Sequence, residues 1–179
     1  MAGYSDRAQP YLDALARAAF DAASVRDWLL SGTQHAGTYA GARSLHNEQF
    51  ALRPNTKQPF YCNYWCGRDT RCTCRPEGSR GLESDLMLFL ENAAGRRLGL
   101  HLEFKAPGER LSFGQAQAYR MRAACWSSGA YRPRSVMPHQ DRACVIVCRR
   151  LEHDARELTH FDRVIDHTDA AAFIPGWPR

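Results

Sequence analysis

The sequence predicts an α/β domain in which a mixed central sheet is flanked by helices. Two segments, 86–90 and 143–148, are apolar on both faces, as strands buried inside a mixed sheet are. A third segment, 98–105, alternates apolar and polar side chains at period two. Helical periodicity precedes these strands and returns between the second and third of them, so helices are expected to cover the sheet.

The first predicted element is one long helix, which Ser5 or Asp6 caps and which ends at Gly32. Its apolar side chains recur at helical spacing: Tyr11, Leu12, Leu15, Ala19, Ala22, Val25, Trp28 and Leu29. The following residues, 33–60, are predicted to be rich in loops, with room for short strands, because glycine and proline punctuate them.

The middle of the chain is predicted to form a β-hairpin. Asp85 opens its first strand, and the turn formers Asn92 and Gly95 separate that strand from the second. With the turn centred near Ala94, residues whose numbers add to about 188 face each other across the ladder. Asp85 is then expected to lie abreast of Glu103.

Glu103 and Lys105 place an acid and an amine on the same face of the second strand. Only Lys57 and Lys105 are lysines among the 24 lysine and arginine residues, which indicates that this position needs a compact ammonium with an adjustable pKa. Two carboxylates and an ammonium suit a Mg²⁺ or Mn²⁺ site in which the lysine polarises a water. The alternative is an ordinary surface pair of glutamate and lysine.

A helix is predicted after the turn at 107–108, with Ser112 and Gln115 at the spacing of a capping box. Gln115, Tyr119, Arg122 and Trp126 then share one helix face. Because phenol and guanidinium groups contact phosphates and bases, Tyr119 and Arg122 are predicted to bind nucleic acid. The alternative is that Gln115 is a cap and that the aromatic side chains belong to the core.

These motifs together resemble the PD-(D/E)XK nuclease superfamily, and most closely its virus-type replication-repair nuclease (VRR-NUC) domain. The similar stretch runs from Gly81 to about Trp126, a quarter of the chain. It contains an aspartate strand, an acid-x-lysine strand, a Pro-Gly turn, a Leu-Ser pair and a helical glutamine in that order. Gln115 and Tyr119 also look like the glutamine-tyrosine pair of RecB-type nucleases. The resemblance implies a restriction-endonuclease-like catalytic core over 81–150.

The resemblance also implies roles for individual residues. Asp85 and Glu103 would bind Mg²⁺ or Mn²⁺, and the Phe104 carbonyl would add a ligand. Lys105 would help to activate the attacking water, and Gln115 would support this catalytic group.

The sequence departs from the superfamily pattern at two points. Ser84 stands where the superfamily often has proline. No clear N-terminal helical glutamate is present, and Glu48 and Asp21 are the candidates for that role.

Four of the seven cysteines lie within 13 residues: Cys62, Cys66, Cys72 and Cys74. In a reducing compartment, thiols this close are typical of a metal site, and four of them complete a tetrahedron around Zn²⁺. An iron-sulfur cluster and plain reduced thiols are the alternatives. Since all four cysteines precede the acid-x-lysine strand, the segment 61–75 is predicted to be an insertion before the catalytic core.

Three smaller predictions concern the remainder of the chain. Cys144 and Cys148 are expected to fill the core of a central strand. Thr168 is expected to cap a short helix, after a charged segment whose secondary structure is left open. His101 is expected to be an exposed residue on the Glu103 face of its strand.

Composition agrees with a polyanionic partner, because 24 basic and 19 acidic residues give a net charge of +5 and a pI near 8.9. No apolar stretch approaches the length of a membrane span, and the chain does not open with a secretory signal pattern. No membrane partner and a cytoplasmic location are therefore expected.

The sequence thus predicts one nuclease-like domain over 1–179 that hydrolyses phosphodiester bonds in DNA with Mg²⁺ or Mn²⁺. The alternative is a non-catalytic nucleic-acid-binding module with a cysteine-metal site. A third hypothesis is an unrelated protein in which the acid-x-lysine motif is coincidental. DNA is the expected partner, and a homodimer is left open.

Overall fold

The structure, a computed structural model, describes residues 7–66, 74–79 and 83–178. The helices in these ranges are α1 (Gln9–Asp21), α2 (Ala23–Leu30), α3 (His46–Leu52), α4 (Gln115–Ser128), α5 (Ala155–Leu158) and α6 (His167–Phe173). The strands are β1 (Arg43–Ser44), β2 (Cys62–Trp65), β3 (Glu83–Glu91), β4 (Arg97–Phe104), β5 (Asp141–Cys148) and β6 (Arg163–Asp166). No helix of the described ranges has both the length and the apolar composition needed to cross a bilayer.

These strands form one mixed sheet in the order β1-β3-β4-β5-β6, with β2 also paired to β3. β3 is antiparallel to β1, β2 and β4, whereas β5 is parallel to both β4 and β6. α4 supplies the crossover that two successive parallel strands require. The predicted mixed sheet flanked by helices is therefore confirmed.

Helices cover both faces of the sheet. On one face, α1 and α2 pack over the leucines of β3 and β4 in a common core cluster. On the other face, α4 packs over Met87 and Phe89 through Trp126, and over β5 through its smaller residues and Tyr119. β3 and β5 are consequently buried on both sides, as predicted. Cys144 and Cys148 are buried in this core, which confirms their predicted packing role.

The N-terminal helical segment is two helices, so the prediction of one long helix is wrong. Ala22, between α1 and α2, is extended, with φ −120° and ψ 122°. The buried Arg26 donates from Nη1 to the Ala19 carbonyl and from Nε to the Ala42 carbonyl, each at 2.7 Å. The Arg26 guanidinium thereby donates to the Ala19 carbonyl, which the break in the helix leaves without its usual backbone N–H donor. Ser5 and Asp6, the predicted caps, lie outside the described residues.

Two other segments differ from their predictions because long-range contacts decide them. α3 forms within 33–60, where loops and strands are expected, and its buried Gln49 donates to the Tyr64 hydroxyl at 2.9 Å. β6 forms in the charged segment, where it extends the sheet beyond β5. Asp166 rather than Thr168 caps α6, since the Asp166 carboxylate accepts from the Thr168 N–H at 3.0 Å.

Candidate functional site

The predicted hairpin brings Asp85 and Glu103 to one edge of the sheet. Paired residues of β3 and β4 have numbers that add to 188, from Glu91 opposite Arg97 to Leu86 opposite Leu102, so the predicted register is confirmed. The ladder ends at the latter pair, and Asp85 is the next residue of β3.

Asp85 is held by two hydrogen bonds from outside the ladder. Its own N–H donates to the Tyr119 hydroxyl at 2.9 Å, and its Oδ2 accepts from the Phe104 N–H at 2.9 Å. One bond fixes the backbone and the other fixes the side chain. The carboxylate is therefore oriented toward the end of β4, where Glu103 and Lys105 lie.

Glu103 is fully buried, and its two oxygens have different surroundings. Oε1 accepts from Lys105 Nζ at 2.7 Å and from Gln115 Nε2 at 2.8 Å. Oε2 has no hydrogen-bond partner although it is buried. Leaving a buried carboxylate oxygen without a donor costs free energy, and such an exception calls for an explanation. A hard cation at Oε2 supplies one, since carboxylate oxygens are the ligands that Mg²⁺ and Mn²⁺ prefer.

The charges of the site repel one another. Burial and the Glu103 carboxylate raise the pKa of Asp85 well above its ordinary value, although the Phe104 N–H and Lys105 oppose this. Burial and Glu103 also raise the pKa of Glu83 to about 7. Burial alone would lower the pKa of Lys105, but Glu103 and then Asp85 raise it, so the amine stays protonated. A divalent cation would relieve the repulsion that one ammonium leaves in place.

Gln115 is oriented by Ser112. The Gln115 side-chain oxygen accepts from the Ser112 N–H at 3.0 Å, which directs the amide nitrogen at Glu103. The predicted capping box is only half formed, because the residue that caps α4 is Gly114, which is in the left-handed conformation and makes no side-chain cap bond. The three-residue spacing of Ser112 and Gln115, which predicts a helix cap, instead positions the Gln115 amide at Glu103.

Tyr119 and Arg122 face the interior of the protein and are fully buried. The Arg122 guanidinium lies over the Tyr119 ring at 4.4 Å, and its Nε donates to the Ser84 hydroxyl at 3.0 Å. Its Nη2 donates to the Glu83 carbonyl. The prediction that these two side chains bind nucleic acid does not fit this burial. They hold the strand that carries Asp85, which agrees with the alternative that the stripe packs against the core.

His101 is fully buried, so the prediction of an exposed strand residue is wrong. Its Nδ1 lies 3.0 Å from the Ser84 hydroxyl, and burial lowers its pKa well below the ordinary value. A neutral His101 and Arg122 thus share Ser84 as a partner. Ser84 is a supporting residue that sequence reasoning did not assign to the site. The available signal was a hydroxyl next to Asp85 at the start of a segment that is otherwise apolar.

The candidates for an N-terminal helical glutamate do not join the site. Glu48, on α3, pairs with Arg43 at 2.7 Å, and Asp21 is exposed at the end of α1. The further carboxylate that interacts with Glu103 is Glu83, two residues before Asp85 in β3. Sequence reasoning missed Glu83 because Asp85 was predicted to open the strand, whereas β3 begins at Glu83. With that strand start, period-two alternation would have placed Glu83 on the face of Asp85.

The cysteines of the proposed zinc site do not all lie together. Cys62 packs in the core cluster beneath α1, whereas Cys66 and Cys74 belong to the cluster beneath α4. Cys72 lies outside the described residues. Cys62 is therefore separated from the two other described cysteines by the sheet, and the four-cysteine arrangement does not fit the packing of β2. A site built from Cys66, Cys72 and Cys74 with a further ligand remains a prediction.

Metal analysis tests this cysteine prediction. We expect about one zinc per purified chain, retained in a Cys62→Ala variant and lost in a Cys66→Ser, Cys74→Ser double variant, together with a lower Tm. Inductively coupled plasma spectrometry and thermal unfolding provide the two measurements. Zinc-free wild-type protein with reactive thiols would show that the segment holds reduced cysteines.

Comparison of the chain with models of protein families, with curated proteins and with solved structures finds no match. Over the described ranges, no three His, Cys, Asp or Glu side chains are grouped so as to hold a metal ion. A cation at Asp85 and Glu103 would have two carboxylate ligands, and the Phe104 carbonyl remains the predicted third. Mg²⁺ sites commonly keep several waters in this way.

Proposed function

We propose that this protein is a divalent-metal-dependent nuclease that hydrolyses phosphodiester bonds in DNA. The observation that carries the proposal is the buried Glu103 Oε2, which lacks a donor beside Asp85 while Oε1 is bound by Lys105. The proposal includes a restriction-endonuclease-like core. It is supported by the order of the elements, in which a hairpin carries the two acids and α4 carries Gln115 across to a parallel strand.

Each residue of the site has a distinct role in this proposal. Asp85 and Glu103 hold Mg²⁺ or Mn²⁺, which when bound neutralises phosphate charge and acidifies water. The Lys105 ammonium, 15% exposed, lies between Glu103 and solvent and donates to the attacking water or to a phosphate oxygen. Gln115 donates to Glu103 Oε1, which would leave Oε2 available to bind the cation.

Cleavage of DNA by purified protein tests the proposal. We expect Mg²⁺ or Mn²⁺ to support cleavage, EDTA to abolish it, and Glu103→Gln to slow it by roughly 100-fold or more. Glu91→Gln is the matched control, since Glu91 lies at the opposite end of the same hairpin and pairs with Arg97 at 2.8 Å. It should fold and cut as the wild type does.

Two results would contradict the proposed nuclease activity. If the Glu103→Gln protein cuts DNA at the wild-type rate, Glu103 takes no part in the reaction. Binding of single-stranded, duplex and branched DNA without cleavage in either metal would instead support a non-catalytic nucleic-acid-binding module.

A further inference from the structure

Large hydrophobic side chains are exposed at seven places in the described ranges: Phe50, Leu52, Trp65, Phe113, Tyr131, Leu151 and Phe173. Isolated exposed hydrophobic residues are common and need no explanation. Two of these aromatic residues, however, are close to residues of the site: Trp65 pairs with Glu83, and Phe113 precedes Gln115 by two residues. Trp65 is 46% exposed and Phe113 is 77% exposed.

Trp65 lies beside the strand end that carries Asp85. It ends β2 and pairs with Glu83, two residues before Asp85. Because β2 is antiparallel to β3, the last residue of β2 lies beside the first residue of β3. Its neighbour Tyr64 points inward and is 1% exposed, so the strand alternation directs the indole of Trp65 outward.

Phe113 lies in the loop before α4, two residues before Gln115, which donates to Glu103. The backbone here is closely packed: a Cβ added at Gly114, which has φ +69°, would lie 3.0 Å from the Ser79 Cβ. A Cβ added at Gly78 would lie 3.8 Å from Phe113 Cε1. The ring is thus presented to solvent by a backbone that is packed against 76–79.

Exposed basic side chains lie close in the chain to Phe113 and to the segment 76–79 that packs against it. Arg75 and Arg110 are exposed, one just before the segment that packs against Gly114 and the other three residues before Phe113. The chain carries a net charge of +5. Aromatic rings combined with basic side chains are the arrangement by which proteins bind single-stranded nucleic acid, since bases stack on the rings and the backbone follows the charge.

We propose that Trp65 and Phe113 stack on unpaired bases close to the scissile phosphate, so that the substrate is single-stranded DNA. The inference rests on the proposed nuclease function. In a duplex each base face is covered by its neighbours, whereas a single strand offers free faces to both rings. The two residues determine specificity through binding and take no part in the chemistry.

Cleavage of a single strand and of a duplex of the same sequence tests the specificity. In Mn²⁺, wild-type protein should cut the single strand at least about tenfold faster, with Trp65→Ala and Phe113→Ala each raising KM about tenfold and leaving kcat nearly unchanged. Trp65→Phe, which keeps a ring, should restore most of the affinity. Phe173→Ala, which changes an aromatic residue on α6 that is 41% exposed and stacks on Trp28, is the control and should be unaffected.

Binding in EDTA separates this inference from the proposed function. Oligothymidylate should quench the fluorescence of the wild-type protein, and Trp65→Ala should remove most of the quenching. Quenching that depends on Trp65 without any cleavage would refute the nuclease and uphold the stacking surface. Equal cleavage of single strand and duplex, or variants that match Phe173→Ala, would overturn the inference while the nuclease stands.

Discussion

An Asp85→Asn variant is expected to lose metal-dependent cleavage and, at the same time, to become more stable than the wild type without metal. The introduced amide keeps an oxygen that accepts from the Phe104 N–H but carries no charge. Loss of the carboxylate should slow cleavage by roughly 100-fold or more. The gain in stability follows from removing an ion that is desolvated by burial and that Glu103 also repels.

The size of this gain in stability depends on pH. The folded state raises the pKa of Asp85 above its ordinary value of 3.8, so folding favours the protonated acid. Wild-type stability in EDTA should therefore fall as pH rises from about 4 through the raised pKa, and the full cost should be present above it. Asp85→Asn should raise Tm at pH 8 and leave it little changed at pH 4.

The control variant for this prediction is expected to change Tm in the opposite direction. Arg96 bonds Asp141 at 2.8 Å and lowers the pKa of that carboxyl, so Asp141→Asn should lower Tm at pH 8. The change should be small, because Arg96 is largely exposed. Mg²⁺ or Mn²⁺ should raise the Tm of the wild type and not that of Asp85→Asn, because a ligand stabilises only the state that binds it. If Asp85→Asn melts below the wild type at pH 8 in EDTA, the Asp85 charge is not destabilised by burial and by Glu103.

A Lys105→Met variant is expected to bind DNA and not to cut it. Lys105 Nζ lies 2.7 Å from Glu103 Oε1. Under the proposed function, the ammonium is one of many charges that would contact a phosphate backbone, so its loss should matter more to turnover than to binding. In Ca²⁺, the affinity for a single strand and its dependence on salt should stay close to those of the wild type, while turnover in Mg²⁺ disappears.

The same variant should be less stable. Removing the Lys105 ammonium leaves the buried Glu103 carboxylate without its ion-pair partner, which lowers the free energy of unfolding by about 3 kcal/mol. Lys57→Met is the control, since Lys57 is exposed and far along the chain from the site. It should change neither the free energy of unfolding nor cleavage. Turnover by Lys105→Met at the wild-type rate would exclude the lysine from the reaction.

The local part of this site was predictable from the sequence. Asp85 and Glu103 are 18 residues apart and are joined by a short turn with Asn92 and Gly95, so alternation and turn chemistry suffice to define the register. Gln115 also follows from local spacing, because a helix begins soon after the strand ends. Its bond to Glu103 needs only the chain between them to turn back.

The tertiary structure decided which side chains face inward and which elements meet. Helical spacing places Tyr119 and Arg122 on one face but does not say that this face lies against Ser84 and Glu83. Strand alternation likewise does not reveal that α4 covers His101. Burial is a property of what packs opposite a residue, and that partner is often far away in the chain.

The break at Ala22 and the position of Cys62 are likewise decided by contacts between segments that are distant in the chain. Arg26 compensates the broken helix through Ala42, and β2 turns Cys62 toward α1 rather than toward Cys66 and Cys74. Sequence by itself determined the mixed α/β class and the acid-acid-lysine edge, because both arise from periodicity and from contacts close in the chain. The support of that edge, and the aromatic residues beside it, arise from contacts between distant segments and appear only in the folded protein.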